Sequence, residues 1–393
     1  MDTKSLALIS GKGGSGKTTM AICMASMLAE SGQKVLLVDC DLSTNGATFF
    51  FEDLVNEQKD RIFSFTDIIG FISGEEKVGR SNAIKRLDRN EAEYLYVAEN
   101  FAFIPSIMPS DLRTNLFDDI NIKKYSTEFP NIYLLLKEPF DIVLFDCQAG
   151  YSEALEYVLP VSDYTLLIME ADAISSAAAR NLYIKTEKLM INKKTYQIFS
   201  KVTEEEKAVY GQILLGTFYT NIGAVIFDWN VRKAFGLAKI PDVKSAKSEF
   251  GMQIYDICTT IFSSKTIKDA LQMYKVIFEY NALQGEIEKI KPDSSTDRYN
   301  LLSSIALVLG IEVFLSTIVL GFKDYINSDL FRFTERPIVL AAGIITVVLS
   351  ALFVALVIRF DMKRIKQRKA YLRLKERLNN LIEKHPELID YSE

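Results

Sequence analysis

Eight residues near the N-terminus, Gly11-Lys12-Gly13-Gly14-Ser15-Gly16-Lys17-Thr18, fit the pattern G-x-x-x-x-G-K-[ST]. The apolar segment Ser5–Ser10 precedes the run, and a helix-like stretch, Thr18–Ser31, follows it. Glycines let the backbone wrap closely around phosphate groups and aim its N–H groups inward. The helix N-terminus behind the loop adds the positive end of a dipole. Lys17 is placed to reach β- and γ-phosphates, and Thr18 to offer its hydroxyl to Mg²⁺. The expected phosphate-binding set is therefore Gly11, Gly13, Gly14, Ser15, Gly16, Lys17, Thr18 and Thr19. Other chemistries are excluded. The one histidine, His385, lies far along the chain, which rules out a histidine base or a histidine metal site. The 4 cysteines (Cys23, Cys40, Cys147 and Cys258) form no CxxC pair. They suit a reducing compartment and exclude a disulfide scaffold or a zinc ribbon. All are expected to be small buried apolar residues.

Two further segments end in acids. Val35–Asp41 reads as a strand closing on Asp39-Cys40-Asp41, and Asp141–Gly150 as a strand closing on Asp146. An acid at a strand end beside a phosphate loop can hold a metal-bound water or orient an attacking one. Strands are also expected at Lys34–Val38, Phe101–Pro105, Ile142–Phe145, Tyr164–Met169 and Gln197–Ser200, with a helix at Ile174–Met190. Several of these strands are continuously apolar, as strands covered on both faces must be. The fold class is α/β, with a mainly parallel sheet flanked by helices. Trp229 is expected to be packed.

With its second lysine, Lys12, the loop resembles the deviant Walker A signature K-G-G-x-x-K-[ST] of the ParA/MinD family of P-loop ATPases, of the SIMIBI class. The D-x-D at Asp39–Asp41 and Asp146-Cys147-Gln148-Ala149-Gly150, against the family's D-x-x-A-G, extend the resemblance over roughly residues 1–265. Phe227–Phe235 resembles a late family segment, an acid followed by V-x-x-A. Ser200, in Phe199-Ser200-Lys201-Val202, stands where members often carry the asparagine that reads the adenine edge. The resemblance implies ATP and Mg²⁺ as cofactors, slow partner-stimulated hydrolysis and an ATP-sandwiched homodimer. It implies that Lys12 contacts the nucleotide of the second subunit. Asp41 would position or activate the attacking water, Asp39 would support the metal shell, and Asp146 would hold Mg²⁺ through water. Lys12, Lys17 and Asp41 are the expected catalytic set, and Thr18, Asp39 and Asp146 the expected metal set.

The remainder of the chain has a different composition. The ATPase domain is assigned to 1–265 and a helical linker with a polar hinge to 266–299. Apolar runs at 300–322 and 338–358 each reach the roughly 20 residues that cross a bilayer as a helix. They are expected to form a membrane hairpin with a short external loop at 323–337 and a basic tail at 359–393. Lysine and arginine crowd after the second run, which keeps the tail, and with it the N-terminal domain, in the cytoplasm. MinD-type members grip membrane reversibly through a C-terminal amphipathic helix, whereas two spans imply permanent anchoring in the inner membrane. Glu312 within the first run is a candidate for pairing with a partner helix, or marks a shifted span boundary. Membrane lipid and a further protein are the expected partners. Residues 301–393 carry net +3, which leaves −8 on the first 300 residues and disfavours nucleic acid as a ligand. Two other readings share these features: an exopolysaccharide-type protein-tyrosine autokinase and a nucleotide-gated membrane adaptor without turnover.

Overall fold

The computed structural model describes residues 3–73, 93–108, 128–203, 205–206, 219–241, 249–263, 265–291, 307–312 and 365–386, with single positions at 305, 348, 359, 362 and 388 besides. Its centre is an 8-stranded sheet in the order β3-β4-β2-β5-β1-β6-β7-β8. The strands are β1 (Lys4–Ser10), β2 (Val35–Cys40), β3 (Leu95–Ala98), β4 (Phe101–Ile104), β5 (Ile142–Ala149), β6 (Tyr164–Glu170), β7 (Lys194–Val202) and β8 (Thr220–Ile226). All pairings are parallel except that of β3 with β4. The mainly parallel sheet expected from the apolar runs is the one observed. The short edge strand β3 and the glycine-containing β8 are additions, because neither carries a long apolar run.

Alternation along the strands divides the interior into two cores. Leu6, Leu8, Leu37 and Leu144 face one side, with helices α1 (Lys17–Glu30) and α9 (Glu249–Ile261). Ala7, Ile9, Val38 and Phe145 face the other. There they meet α5 (Phe129–Lys137), α6 (Leu155–Val161) and α7 (Ala173–Thr186). Adjacent residues on a strand thus serve different cores, as the two-residue period requires. Helix α1 is apolar almost all round and is buried from Met20 to Ala29, the pattern of a helix enclosed on every face. The short helices α2 (Gly46–Phe50), α3 (Glu52–Gln58) and α4 (Phe65–Ser73) follow β2, and α8 (Trp229–Gly236) follows β8.

Helix α10 (Lys265–Ile290) does not leave the domain at its first residues. Ile267, Leu271 and Tyr274 pack into the first core, and the Tyr274 hydroxyl donates to Glu30 Oε2 at 3.0 Å. The compact unit accordingly extends past residue 265 to Phe278, and residues 279–393 form a second unit. Within that second unit, Arg377 on the helix over 365–384 lies 3.9 Å from Glu279. Of the expected spans at 300–322 and 338–358 and their loop at 323–337, only residues 305, 307–312 and 348 are described, and the rest lie outside the described residues. Among the described residues no helix is long and apolar enough to cross a membrane.

One close approach fixes the phosphate loop against α7. A Cβ on Gly11 would sit 2.4 Å from the Ala178 carbonyl carbon and 2.5 Å from the Ala179 nitrogen, both backbone atoms. On Gly13 it would meet nothing within 4 Å. Gly11→Ala is therefore expected to cost about 3 kcal/mol or more by forced backbone movement, and Gly13→Ala under about 1 kcal/mol. Chemical denaturation of the two variants checks this; equal midpoints would remove α7 as the support of the loop.

Candidate nucleotide-binding site

The parallel order brings the ends of β2, β5, β1 and β6 together at one edge, where crevices form in open α/β sheets. The loop from Gly11 to Gly16 leaves β1 there. Gly14 and Gly16 adopt φ of 81° and 89°, left-handed values that glycine takes at little cost. Gly16 caps α1, whose first turn holds no acidic residue to compete with an anion at its N-terminus. Gly150, at φ 76°, closes the turn after β5 and donates its N–H to the Ser10 carbonyl at 2.7 Å. A cavity of about 660 Å³ opens over the loop, lined by Gly13 to Thr19, Asp41, Ser43, Thr44, Ser200 and Lys201. At its other end lie Phe227, Arg232 and Phe235. That volume suits a nucleotide-sized ligand.

Asp39 and Asp146 are register partners on β2 and β5 and are both fully buried. Asp39 accepts hydrogen bonds from the Asp41 N–H at 3.0 Å and from the Thr48 N–H and hydroxyl at 2.8 and 2.7 Å. Burial, followed by the charge of Asp146, raises its pKa despite those bonds. Burial also raises the pKa of Asp146, against the opposing charge of Lys17 and the nearby Thr18 hydroxyl. Lys17 Nζ lies 4.0 Å from Asp146 Oδ1. Both Asp146 oxygens and the Ser15 hydroxyl are buried without a hydrogen-bond partner. Such groups are costly unless a ligand completes them. Orphaned acceptors at Asp146 beside the Thr18 hydroxyl suit a hard, oxygen-seeking cation such as Mg²⁺, and the orphaned Ser15 donor suits a phosphate. Asp39 is committed to its own turn through Asp41 and Thr48.

Asp41 is 4% exposed. Its carboxylate accepts from the Ser43 N–H and hydroxyl at 3.1 and 2.9 Å and from the Thr44 N–H and hydroxyl at 2.9 and 2.6 Å. Burial raises its pKa, but the bonds from Thr44 and Ser43 outweigh burial and leave it lowered. Asp41 is thus an ionised acceptor, not a reservoir for a proton. The turn behind it is held by Thr48, Ser106 and Asn45, linked hydroxyl to hydroxyl at 2.9 Å and hydroxyl to amide oxygen at 2.8 Å.

Lys12 stands at the mouth, 40% exposed, paired with Glu170 at 3.1 Å and Asp172 at 3.6 Å within its own chain. Lys201 pairs with the same Glu170 at 2.9 Å and donates to the Gly14 carbonyl. The Ser200 hydroxyl donates to the Ser15 carbonyl at 2.7 Å. Glu170 and Lys201 are therefore site residues beyond those the motifs select. Their signal was position: each closes a strand near β1, at the edge where the loop sits. All four cysteines are buried, and burial raises the thiol pKa of each. Trp229 is not packed as expected but 65% exposed at the start of α8.

Residues 3–198 match the family model described as an AAA domain. The N-terminal half of the chain is similar to P-loop ATPases of the ParA/MinD type. It is similar to the septum site-determining protein MinD of Bacillus subtilis, 23% identical over 198 residues, which are 48% of this chain and 65% of that one. MinD of Thermotoga maritima is 27% identical over 176 residues, 44% of this chain and 55% of the relative. The chain thus spans between about half and two thirds of these curated relatives. Among solved structures, the MinC:MinD cell division protein complex of Aquifex aeolicus aligns at TM-score 0.49 and 19% identity, covering 67% of this chain and 97% of that one.

The raised pKa of Asp146 has a consequence for this domain. A folded-state value above the unfolded one means the folded state binds the extra proton, so stability is lost as pH rises through the folded pKa. Without Mg²⁺ or nucleotide, Asp146→Asn is expected to melt about 2–6 °C above the parent at pH 7.5, with the gap closing toward pH 5. Calorimetric scans in EDTA test this; a parent that melts higher than the variant at pH 7.5 would contradict it.

Proposed function

We propose that the chain is a membrane-anchored, Mg·ATP-dependent dimerisation switch that hydrolyses ATP to ADP and phosphate. The observation that carries the reading is the pairing of a left-handed glycine loop with Asp146, a buried carboxylate whose oxygens both lack a hydrogen-bond partner. The backbone N–H groups of the loop and Lys17 hold the triphosphate. Thr18 and Asp146 would hold Mg²⁺, which would supply charge neutralisation at the phosphate oxygens. Asp41, kept ionised by Ser43 and Thr44, orients the attacking water by charge. Catalysis is then positioning and electrostatic stabilisation. Lys12 turns from Glu170 toward the nucleotide of a second copy. Its ion pair is solvent-exposed, and exposed pairs are screened and readily exchanged.

The output is recruitment or positioning of another protein at the cytoplasmic membrane, with the tail and the N-terminal domain on the cytoplasmic side. The septum-site names of the relatives support a positioning role. The Arg377–Glu279 contact supports the topology. It joins the helices before and after residues 291–364, and an even number of crossings returns both to one side.

ATP hydrolysis and molecular size of the detergent-solubilised full-length protein test this reading. The parent is expected to turn over and to dimerise with ATP. Lys17→Ala loses nucleotide binding by about 100-fold or more. Lys12→Ala binds ATP but neither dimerises nor turns over, and Asp41→Ala accumulates an ATP-bound dimer. ATP binding by the parent with neither turnover nor dimers, lipid included, would leave a nucleotide-gated adaptor in its place.

A further inference from the structure

The cavity over the phosphate loop runs to α8, and its far wall is unusual. Arg232 lies 5.5 Å from the Trp229 ring centroid and 6.0 Å from that of Phe227. The two rings are 6.2 Å apart. The rings are tilted by 50° to each other, and the guanidinium lies over both, the arrangement cation–π attraction favours. Helix α8 buries none of its residues, and Phe227 and Trp229 are 42% and 65% exposed. Core packing therefore does not account for these aromatic residues, and Phe227 and Arg232 both line the cavity.

Several hydrogen-bonding side chains near this wall are already engaged. Asp228 Oδ1 accepts from the Asn230 and Val231 N–H groups at 2.7 and 3.2 Å, capping α8. Ser200 donates to Ser15, and Lys201 pairs with Glu170. Reading a base by its edge needs a donor and an acceptor side by side, as a side-chain amide supplies. Among the described residues, no asparagine or glutamine lines the cavity. Stacking makes no such demand, because every base has a π-face.

We propose that the site holds the nucleotide base by stacking on Phe227 braced by Arg232, and so takes adenosine and guanosine triphosphates with nearly equal affinity. Selection falls on the triphosphate, through the loop and Lys17, while the base supplies sequence-blind contact area. This inference rests on the nucleotide reading above. It adds to it a substrate class wider than ATP and two residues, Phe227 and Arg232, that determine how the base is held.

Calorimetric titration of the full-length chain in mild detergent with Mg·ATPγS, Mg·GTPγS and Mg·tripolyphosphate tests it. The two nucleotides are expected to bind within about threefold of each other. Phe227→Ala and Arg232→Ala should each weaken both by about tenfold and leave tripolyphosphate unchanged. Trp229, the only tryptophan in the chain, should change its fluorescence with either nucleotide and not with tripolyphosphate. ATPγS binding about 30-fold or more above GTPγS would overturn the proposal and leave the nucleotide reading standing. So would variants that weaken tripolyphosphate as much as the nucleotides, or that weaken neither nucleotide. Failure of all three ligands to bind would overturn both.

Discussion

Two carboxylates buried side by side are the constraint around which this domain is arranged. Asp39 and Asp146 occupy the same register level on neighbouring strands, with no exposure to solvent. Removing charge from water is expensive, and like charges in contact make it more so. The structure offsets part of the cost with Lys17 and with hydrogen bonds to Asp39, and leaves Asp146 incomplete. That incompleteness is what the proposed cation, with the anion it accompanies, would complete at the sheet edge. The strand order supports the arrangement, since β1 lies beside β5 and delivers the phosphate loop to the same edge.

Around this centre the polar groups form two shells. Asp41, Asp39, Thr48, Ser106 and Asn45 lock the turn after β2 from within. Glu170 gathers Lys12 and Lys201 at the mouth, where solvent reaches all three. The inner shell is buried and holds a fixed geometry. The outer shell is screened and can exchange partners, as the proposed turn of Lys12 toward a second copy requires. The site is therefore stiff where chemistry would occur and loose where assembly would.

What was legible in the sequence depended on how local the signal was. Gly11 to Thr18, Asp39, Asp41 and Asp146 could be read because each sits at a fixed spacing from an apolar strand. The parallel sheet could be read because its strands are apolar on both faces. Glu170 and Lys201 were not read as site residues, since they reach the loop only through the pairing of β6 with β1 and β7, a long-range fact. Edge strands β3 and β8 carry too few apolar residues to announce themselves. Tyr274 looked like part of a departing helix because a helical period does not say which core its apolar face will meet. Trp229 looked like a core residue because a large ring is usually buried; in α8 it is Val231 and Phe235 that pack against the core, and Trp229 stays exposed.

Helix α1 joins two ends of the domain. It begins at the loop and ends at Glu30, which receives the Tyr274 hydroxyl from α10. Its 14 residues make a rod about 21 Å long, enclosed on every side and so unable to bend without disturbing the packed core. Such a rod behaves as a push-rod. A tilt at its loop end would be carried to Glu30 and so to Tyr274 of α10, within the same compact unit.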